Sequence, residues 1–479
     1  MFDPVPSLSK DEPRMTPDLS RRALLGAGAL IGGAVSLAAP PRASAAASTA
    51  TLEPRPAPPA IAKPPMTKPY FLRNVRLETG YARDGDEVVE TLTELKTLKI
   101  DKGVIAAILP ASAPLPKGAM AYDANGLLLL PSFRDMHIHL DKTFYGGPWR
   151  APRKRKGGIA GQIQLEHTLL PQMLPTLEPH AEALVGLLQS RGTTFARSQC
   201  NVDPVIGTQH VEHLKAALDR HNGDFSHEIV AFPQHGFISA HMEDQMRRAI
   251  RQGATHVGGI DPTAVDGGME KSVDTMMQIA LDEHAGVDIH IHEPGESGIA
   301  AITRIADITG QNPALRDRVT ISHAFSLMSL DKPAAVDMAA RLSAAGVSIA
   351  STVPFGTRMM PIPTLQAGGV KVFTGTDSTM DHWSVFGSGD ILEKAKLACQ
   401  LYGWSDEQSI GQALKIPTGG ITPLNAAGEQ VWPKVGDAAD CVLVSAACSA
   451  QAVARLPERL TVLHRGVLAA GAFPKVIAT

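Results

Sequence analysis

With 479 residues and 44% apolar side chains, the chain can bury one large core and a smaller one. A formal net charge of −3 gives no field to draw nucleic acid or anionic lipid, so neither is an expected partner. Four cysteines without a Cys-x-x-Cys pair exclude a zinc ribbon and supply no disulfide framework, so buried free thiols are expected, although Cys441 and Cys448 could be bridged.

In residues 1–45, Ser20-Arg21-Arg22-Ala23 leads into an apolar stretch rich in Ala and Gly that ends at Ala43-Ser44-Ala45. Paired arginines, a weakly apolar run and an Ala-x-Ala end read as a twin-arginine export signal. The expectation is passage through the twin-arginine machinery, a periplasmic location and no stable membrane insertion after cleavage; an uncleaved anchor is the alternative. That route carries proteins already folded. Residues 46–67 carry Pro54, Pro56, Pro58, Pro59, Pro64 and Pro65 and read as a stiff linker.

Short strands are expected next, at Tyr70–Val75, Val88–Leu92, Lys96–Asp101 and Val104–Leu109. Similar strands recur near the other end, at Asp440–Val444, Leu460–His464 and Val467–Ala470. Residues 68–126 and 420–479 are thus expected to fold together as a small β-sandwich. Within 127–419, eight apolar strand candidates alternate with helical patterns. The strands are Leu127–His139, Thr193–Cys200, Glu228–Phe232, His256–Asp261, Val287–His292, Val319–Ala324, Val347–Thr352 and Val370–Thr376. Helices are expected at Glu182–Ser190, Glu243–Gln252, Val273–Ala285, Ile299–Thr309 and Ala334–Ala345. This α/β alternation predicts a (β/α)8 TIM-like barrel. An open doubly wound sheet would carry a Gly-rich phosphate turn after its first strand, where His137-Ile138-His139 stands instead.

Strand side chains alternate, so His137 and His139 face one way and can share a metal ion. Alone, the pair reads more readily as two satisfied histidines at a strand end. Barrel strands converge at their C-terminal ends, however, and the other ends carry Gln234 and His235, His290-Ile-His292-Glu293, His323 and Asp377. Three imidazoles and a carboxylate, as His137, His139, His290 and Asp377, suit one divalent ion and can bring bound water to a pKa of about 7. Zinc is the default and Fe(II) the competitor. Glu293 could protonate a ring nitrogen of a substrate, and His323 could shuttle the water proton. His292 shares a face with His290 and is the rival ligand. His323 could be a core histidine and Asp377 a helix cap. His235, His256 and His382 are expected outside the direct ligand set or at the surface.

His137-x-His139, His290-x-x-Glu293, His323 and Gly375-Thr-Asp377-x5-Trp383 resemble the cytosine deaminase group of the metal-dependent amidohydrolase superfamily. Phe232-Pro-Gln234-x-Gly236 and Gly436-Asp-Ala-Ala-Asp440 extend the match from Tyr70 towards the C-terminus. The resemblance implies a deformed barrel, with His137, His139, His290 and Asp377 as ligands and Glu293 and His323 as the proton-transfer pair. It favours His290 over His292. Gln234 would bind the amide or amidine edge of a heterocycle, and Trp383 would wall the pocket. His256-Val-Gly-Gly-Ile-Asp261 lacks the lysine that binuclear relatives carry on the fourth strand, which implies one metal ion.

The implied activity is hydrolysis of the C–N bond of a cyclic amidine, urea or amide by metal-bound hydroxide, deaminating a small nitrogen heterocycle. N-dealkylation or ring opening of a triazine- or hydantoin-like ring is the alternative. A non-catalytic exported metal- or ligand-binding protein is the reading from another class. Homo-oligomers are common in the group. Two departures argue against cytosine itself. Ser378 replaces a second aspartate that would lie close to the bound base. The loop after the first strand carries Arg153-Lys154-Arg155-Lys156, either a solvated run or a lid favouring negative charge.

Overall fold

The computed structural model describes residues 68–151, 157–356 and 358–477. The export signal, the Pro-rich linker and the basic run Arg153–Lys156 lie outside the described residues. Among the described residues, no helix is long and apolar enough to cross a membrane.

Eight parallel strands run in chain order as one sheet: Phe133–Ile138, Thr193–Asn201, Ser226–Phe232, His256–Ile260, Gly286–His290, Val319–Ser322, Val347–Ser351 and Val372–Thr374. Strands of this kind are covered on both faces; all nine residues of Thr193–Asn201 are buried, although only Phe195, Ala196 and Cys200 among them are apolar. The eighth strand returns to the first through a bridge between Ile138 and Asp377. The Asp377 amide donates to the His137 carbonyl at 2.7 Å, and the His139 amide to the Asp377 carbonyl at 3.3 Å. Asp135 reinforces this seam, accepting from the Thr376 amide at 3.1 Å and the Thr376 hydroxyl at 2.6 Å.

The surrounding helices bury one stripe each. In Leu177–Ser190 that stripe is Leu177, Ala181, Leu184, Val185 and Leu188, a helical spacing. Lys332–Ala345 begins where the Asp331 side chain accepts from the Ala334 amide at 2.9 Å, and it stops at Gly346 in the left-handed conformation. A helix not expected from the sequence, Gly158–Met173, follows the first strand and contains Pro171.

Both chain ends build the second sheet, of nine strands. It splits along the strand Tyr70–Asp84. Tyr70–Arg73 pair with Met120–Asp123, whereas Arg76 pairs with Leu128. Leu72, Val75, Leu98, Ile105, Leu129, Leu443 and Leu463 form its apolar core. The short strands expected near the start are one long hairpin, Tyr70–Asp84 with Glu87–Asp101. The expected strands Val88–Leu92 and Lys96–Asp101 are thus one continuous strand, whose outer half is largely exposed.

The single strand expected over Leu127–His139 is two strands. Leu128–Pro131 pairs with Cys441–Val444 in the second sheet, and Phe133–Ile138 opens the barrel. The chain changes sheets at Ser132, whose amide donates to Asp440, so the junction falls after residue 127. An apolar run buried in either sheet carries no periodicity that marks such a crossing.

Glu78 ties the two ends together by accepting from the Ser449 amide and, at 3.2 Å, from the Ser449 hydroxyl. Burial pushes its carboxyl up to about 7, with Glu407 adding to the rise and the Ser449 bonds opposing it. An acid raised above its unfolded value of 4.5 binds its proton more tightly when folded, so its stabilising contribution is lost between about pH 4.5 and 7. Glu78→Gln is therefore expected to melt progressively above the parent as pH rises through that window, with a constant gap beyond it. Melting curves at pH values on both sides of the window would show it; a pH-independent gap would refute the assignment.

Candidate active site

The ends of strands one, five, six and eight bring five side chains together. Ligand atoms of His137, His139 and His290 lie within 4.8 Å of one another, as do those of His137, His323 and Asp377. The Asp377 carboxylate stands 3.6 Å from His137 Nε2 and 3.4 Å from His139 Nε2. Several ring nitrogens here are buried without a hydrogen-bond partner: His137 Nε2, His139 Nδ1, both nitrogens of His290, and His323 Nδ1. An unmet buried polar atom costs about 1–3 kcal/mol, so a cluster of them needs a compensating partner. A divalent cation answers that need, and the set of imidazoles with one carboxylate suits zinc or Fe(II).

The surroundings prepare these groups to bind metal. Ser322 donates its hydroxyl hydrogen to Asp288 at 2.5 Å, so its oxygen accepts from His137 Nδ1 at 2.8 Å. That fixes the His137 proton on Nδ1 and leaves the Nε2 lone pair facing Asp377. Burial, seconded by the neighbouring imidazoles, holds His290 well below the usual histidine range, so it is neutral. Burial opposes charge on Asp377, but the close imidazoles of His137, His139 and His323 outweigh it and keep the carboxyl well below its ordinary value. His323, Ala324 and Asp377 have φ values of 66°, 51° and 64°. Left-handed backbone costs such residues about 1 kcal/mol or more each, strain stored where the side chains must aim inward.

Gly375 lets the eighth strand press against the first. A Cβ there would stand 2.3 Å from the His137 carbonyl oxygen and 2.4 Å from His137 Cβ. Gly375→Ala is expected to spread the seam under His137, lowering stability by about 2 kcal/mol or more and weakening metal binding. Melting and metal titration of the variant test this; a variant with parental Tm and metal affinity would refute it.

The cluster opens on a cavity of about 300 Å³ lined by Gln234, Ser378 and Trp383, as the sequence suggested, and also by Lys142, Phe232 and His292. A larger cavity, of about 490 Å³, lies beside Arg134, Glu228 and His464 near the starts of the strands. None of the clustered ligands reaches it, so the chemistry belongs to the smaller one. Phe232 stacks on His290 with ring centres 4.1 Å apart. The Lys142 ammonium is buried and donates to Glu166 at 3.3 Å, Asn201 at 3.2 Å and Gln234 at 3.2 Å. Glu166 also accepts from Trp383 Nε1 at 2.8 Å and His382 Nε2 at 2.7 Å. His382 is thus a buried support of the pocket wall.

Glu293 is anchored through one carboxylate oxygen only. Its Oε1 accepts from the amides of Thr263 and Ala264 at 2.7 and 2.8 Å, and its Oε2 is buried without a hydrogen-bond partner. The neighbouring His292 lines the cavity, with Nδ1 held 2.9 Å from Asp261 and its ring centre 4.4 Å from that of His323. Beyond the strand end the backbone turns, and alternation no longer decides which side chain faces the pocket. Lys142, Glu166 and Asn201 were also not singled out. A lysine three residues after His139 was the available signal.

The family model described as "Amidohydrolase family" matches residues 239–473. The uncharacterized protein YahJ of Escherichia coli (strain K12) is 50% identical over 407 residues, covering 84% of this chain and 88% of that one. The chain belongs to the amidohydrolase family. N-isopropylammelide isopropylaminohydrolase from Burkholderia multivorans ATCC 17616 superposes with a TM-score of 0.74 at 27% identity, over 86% of this chain and 100% of that one. The 5-methylcytosine deaminase from Klebsiella pneumoniae shares the fold, with a TM-score of 0.68 at 24% identity over 85% and 98% of the two chains. This amidohydrolase is accordingly a hydrolase of carbon–nitrogen bonds other than peptide bonds.

Proposed function

We propose that this amidohydrolase displaces an exocyclic amine, ammonia or a small alkylamine, from a nitrogen heterocycle. The observation that carries this reading is the cluster of His137, His139, His290 and Asp377 opening directly on the cavity lined by Gln234 and Trp383. Those four residues would hold one ion, zinc or Fe(II). When bound, the ion supplies Lewis-acid activation of water and of the ring carbon under attack.

The chain supplies binding and proton transfer. Trp383 and Phe232 flank the ring, and Gln234 meets its polar edge. His323 lines the cavity and is held neutral, mainly by burial, so its imidazole can take the proton of the attacking water. His292, oriented by Asp261 at Nδ1, can deliver a proton from Nε2 to the departing nitrogen. The second aspartate of cytosine deaminases is Ser378 here, which leaves room beside Asp377 for a substituted amine. The likeness to N-isopropylammelide isopropylaminohydrolase favours alkylamine release alongside deamination.

Arg21-Arg22 and the Ala/Gly-rich run after them support export by the twin-arginine route. Replacing the pair by lysines should retain the protein in the cytoplasm, as fractionation would show.

The functional test is elemental analysis of the purified full chain, followed by a screen for ammonia and alkylamine release from pyrimidines, aminotriazines, creatinine-like rings and hydantoins. About one ion per chain and release from at least one ring are expected. A protein that holds no metal and gains no activity on adding zinc or Fe(II) would overturn the reading.

A further inference from the structure

Lys142 sits at the centre of a buried relay that determines which way round the Gln234 amide can stand. An ammonium has three hydrogens, and Lys142 has three acceptors: Glu166 Oε1 at 3.3 Å, Asn201 Oδ1 at 3.2 Å and Gln234 Oε1 at 3.2 Å. Asn201 is itself oriented, because its Nδ2 donates to Glu166 Oε2 at 3.1 Å. Glu166 is completely buried, Lys142 is 1% exposed and Gln234 is 4% exposed, so water offers these groups little alternative. Turning the Gln234 amide over would set its NH2 against the ammonium, donor against donor. Its oxygen is therefore committed to Lys142, and its NH2 is what remains for the cavity.

Building on the proposed heterocycle reading, we propose that Glu166 is a positioning residue which, through Lys142, locks Gln234 as a hydrogen-bond donor, so that the pocket selects rings with an oxo group or another acceptor at that edge and rejects rings with an amino group there. A ring amino group opposite the Gln234 NH2 would leave two donors facing each other, both desolvated. Sites built around a specific hydrogen bond discriminate strongly against the analogue that cannot make it. Glu166 also holds Trp383 through its indole N–H at 2.8 Å, so one carboxylate sets both the polar edge and the aromatic wall.

The probes are two pairs in which an oxo group is exchanged for an amino group: cytosine with its diamino analogue, and ammeline with melamine. Binding and amine release are measured on metal-loaded parent, E166Q, K142M and Q234E. The parent is expected to favour the oxo member by at least about tenfold. E166Q and K142M should bring that ratio towards one, because the Gln234 amide is then free to turn. Q234E keeps the Lys142 contact but presents an acceptor, and should reverse the preference. A general loss of fold or metal would lower both members of a pair together and leave the ratio unchanged.

Folded, metal-loaded E166Q and K142M that keep the parental ratio would overturn the proposal. If neither folds, Q234E alone decides it: an unreversed oxo preference refutes the donor lock. A parent that turns over rings with no oxo preference refutes the lock while the hydrolase reading stands. A parent that binds and hydrolyses no ring refutes the functional reading, and this inference with it.

Discussion

Asp377→Asn is expected to lose bound metal and hydrolysis together while keeping the fold. Asparagine tolerates the left-handed backbone at this position, with φ 64°, better than alanine, which would add about 1 kcal/mol of strain. The seam bonds from the Asp377 amide to His137 and from His139 to the Asp377 carbonyl are backbone bonds and survive the change. What disappears is the negative charge 3.6 Å and 3.4 Å from two ligand nitrogens. Lewis-acid activation contributes several kcal/mol to the transition state, so kcat/KM should fall by about 10³-fold or more. Elemental analysis and melting curves are measured beside the rates. A variant that keeps about one ion per chain and most of its activity would remove Asp377 from the ligand set.

His292→Gln is expected to lower kcat by about 10²–10⁴-fold with metal retained, the range a positioned acid or base contributes. His292 lines the cavity, is oriented by Asp261 at 2.9 Å and faces His323 across a ring-to-ring distance of 4.4 Å. Glu293→Gln should cost much less, about tenfold or below, because the glutamine carbonyl can still accept from Thr263 and Ala264. The comparison separates two neighbouring residues with different jobs. If Glu293→Gln abolished turnover with the metal in place while His292→Gln stayed active, the proton would travel through the carboxylate, and the assignment to His292 would fail.

The contrast between these residues shows where sequence reasoning reaches its limit. His137 and His139 were legible because two positions apart on a strand means one face, and both lie together in the cluster. Asp377 and the pair His290 and His292 were legible as strand-end groups because barrel strands must end at a common mouth, and the resemblance to cytosine deaminases chose His290. The division of labour between His292 and Glu293 was not legible, because both lie past the strand end, where a turn and two backbone amides decide which way each side chain points. Leu128–Pro131 was assigned to the wrong sheet because pairing partners more than 300 residues away leave no mark on a continuous apolar run.

From its sequence alone, this chain determined an alternation of strands and helices that closes as a barrel, and the imidazoles and carboxylate that barrel would gather. Those follow from periodicity and spacing, which are local. The lining of the pocket was decided only in three dimensions. Lys142 meets Glu166, Asn201 and Gln234 across separations of 24, 59 and 92 residues, and none of the four bears a local signature of the others. Burial is what turns them into a unit: without water, each donor must find an acceptor in the protein, and that requirement orients the amide which meets the substrate.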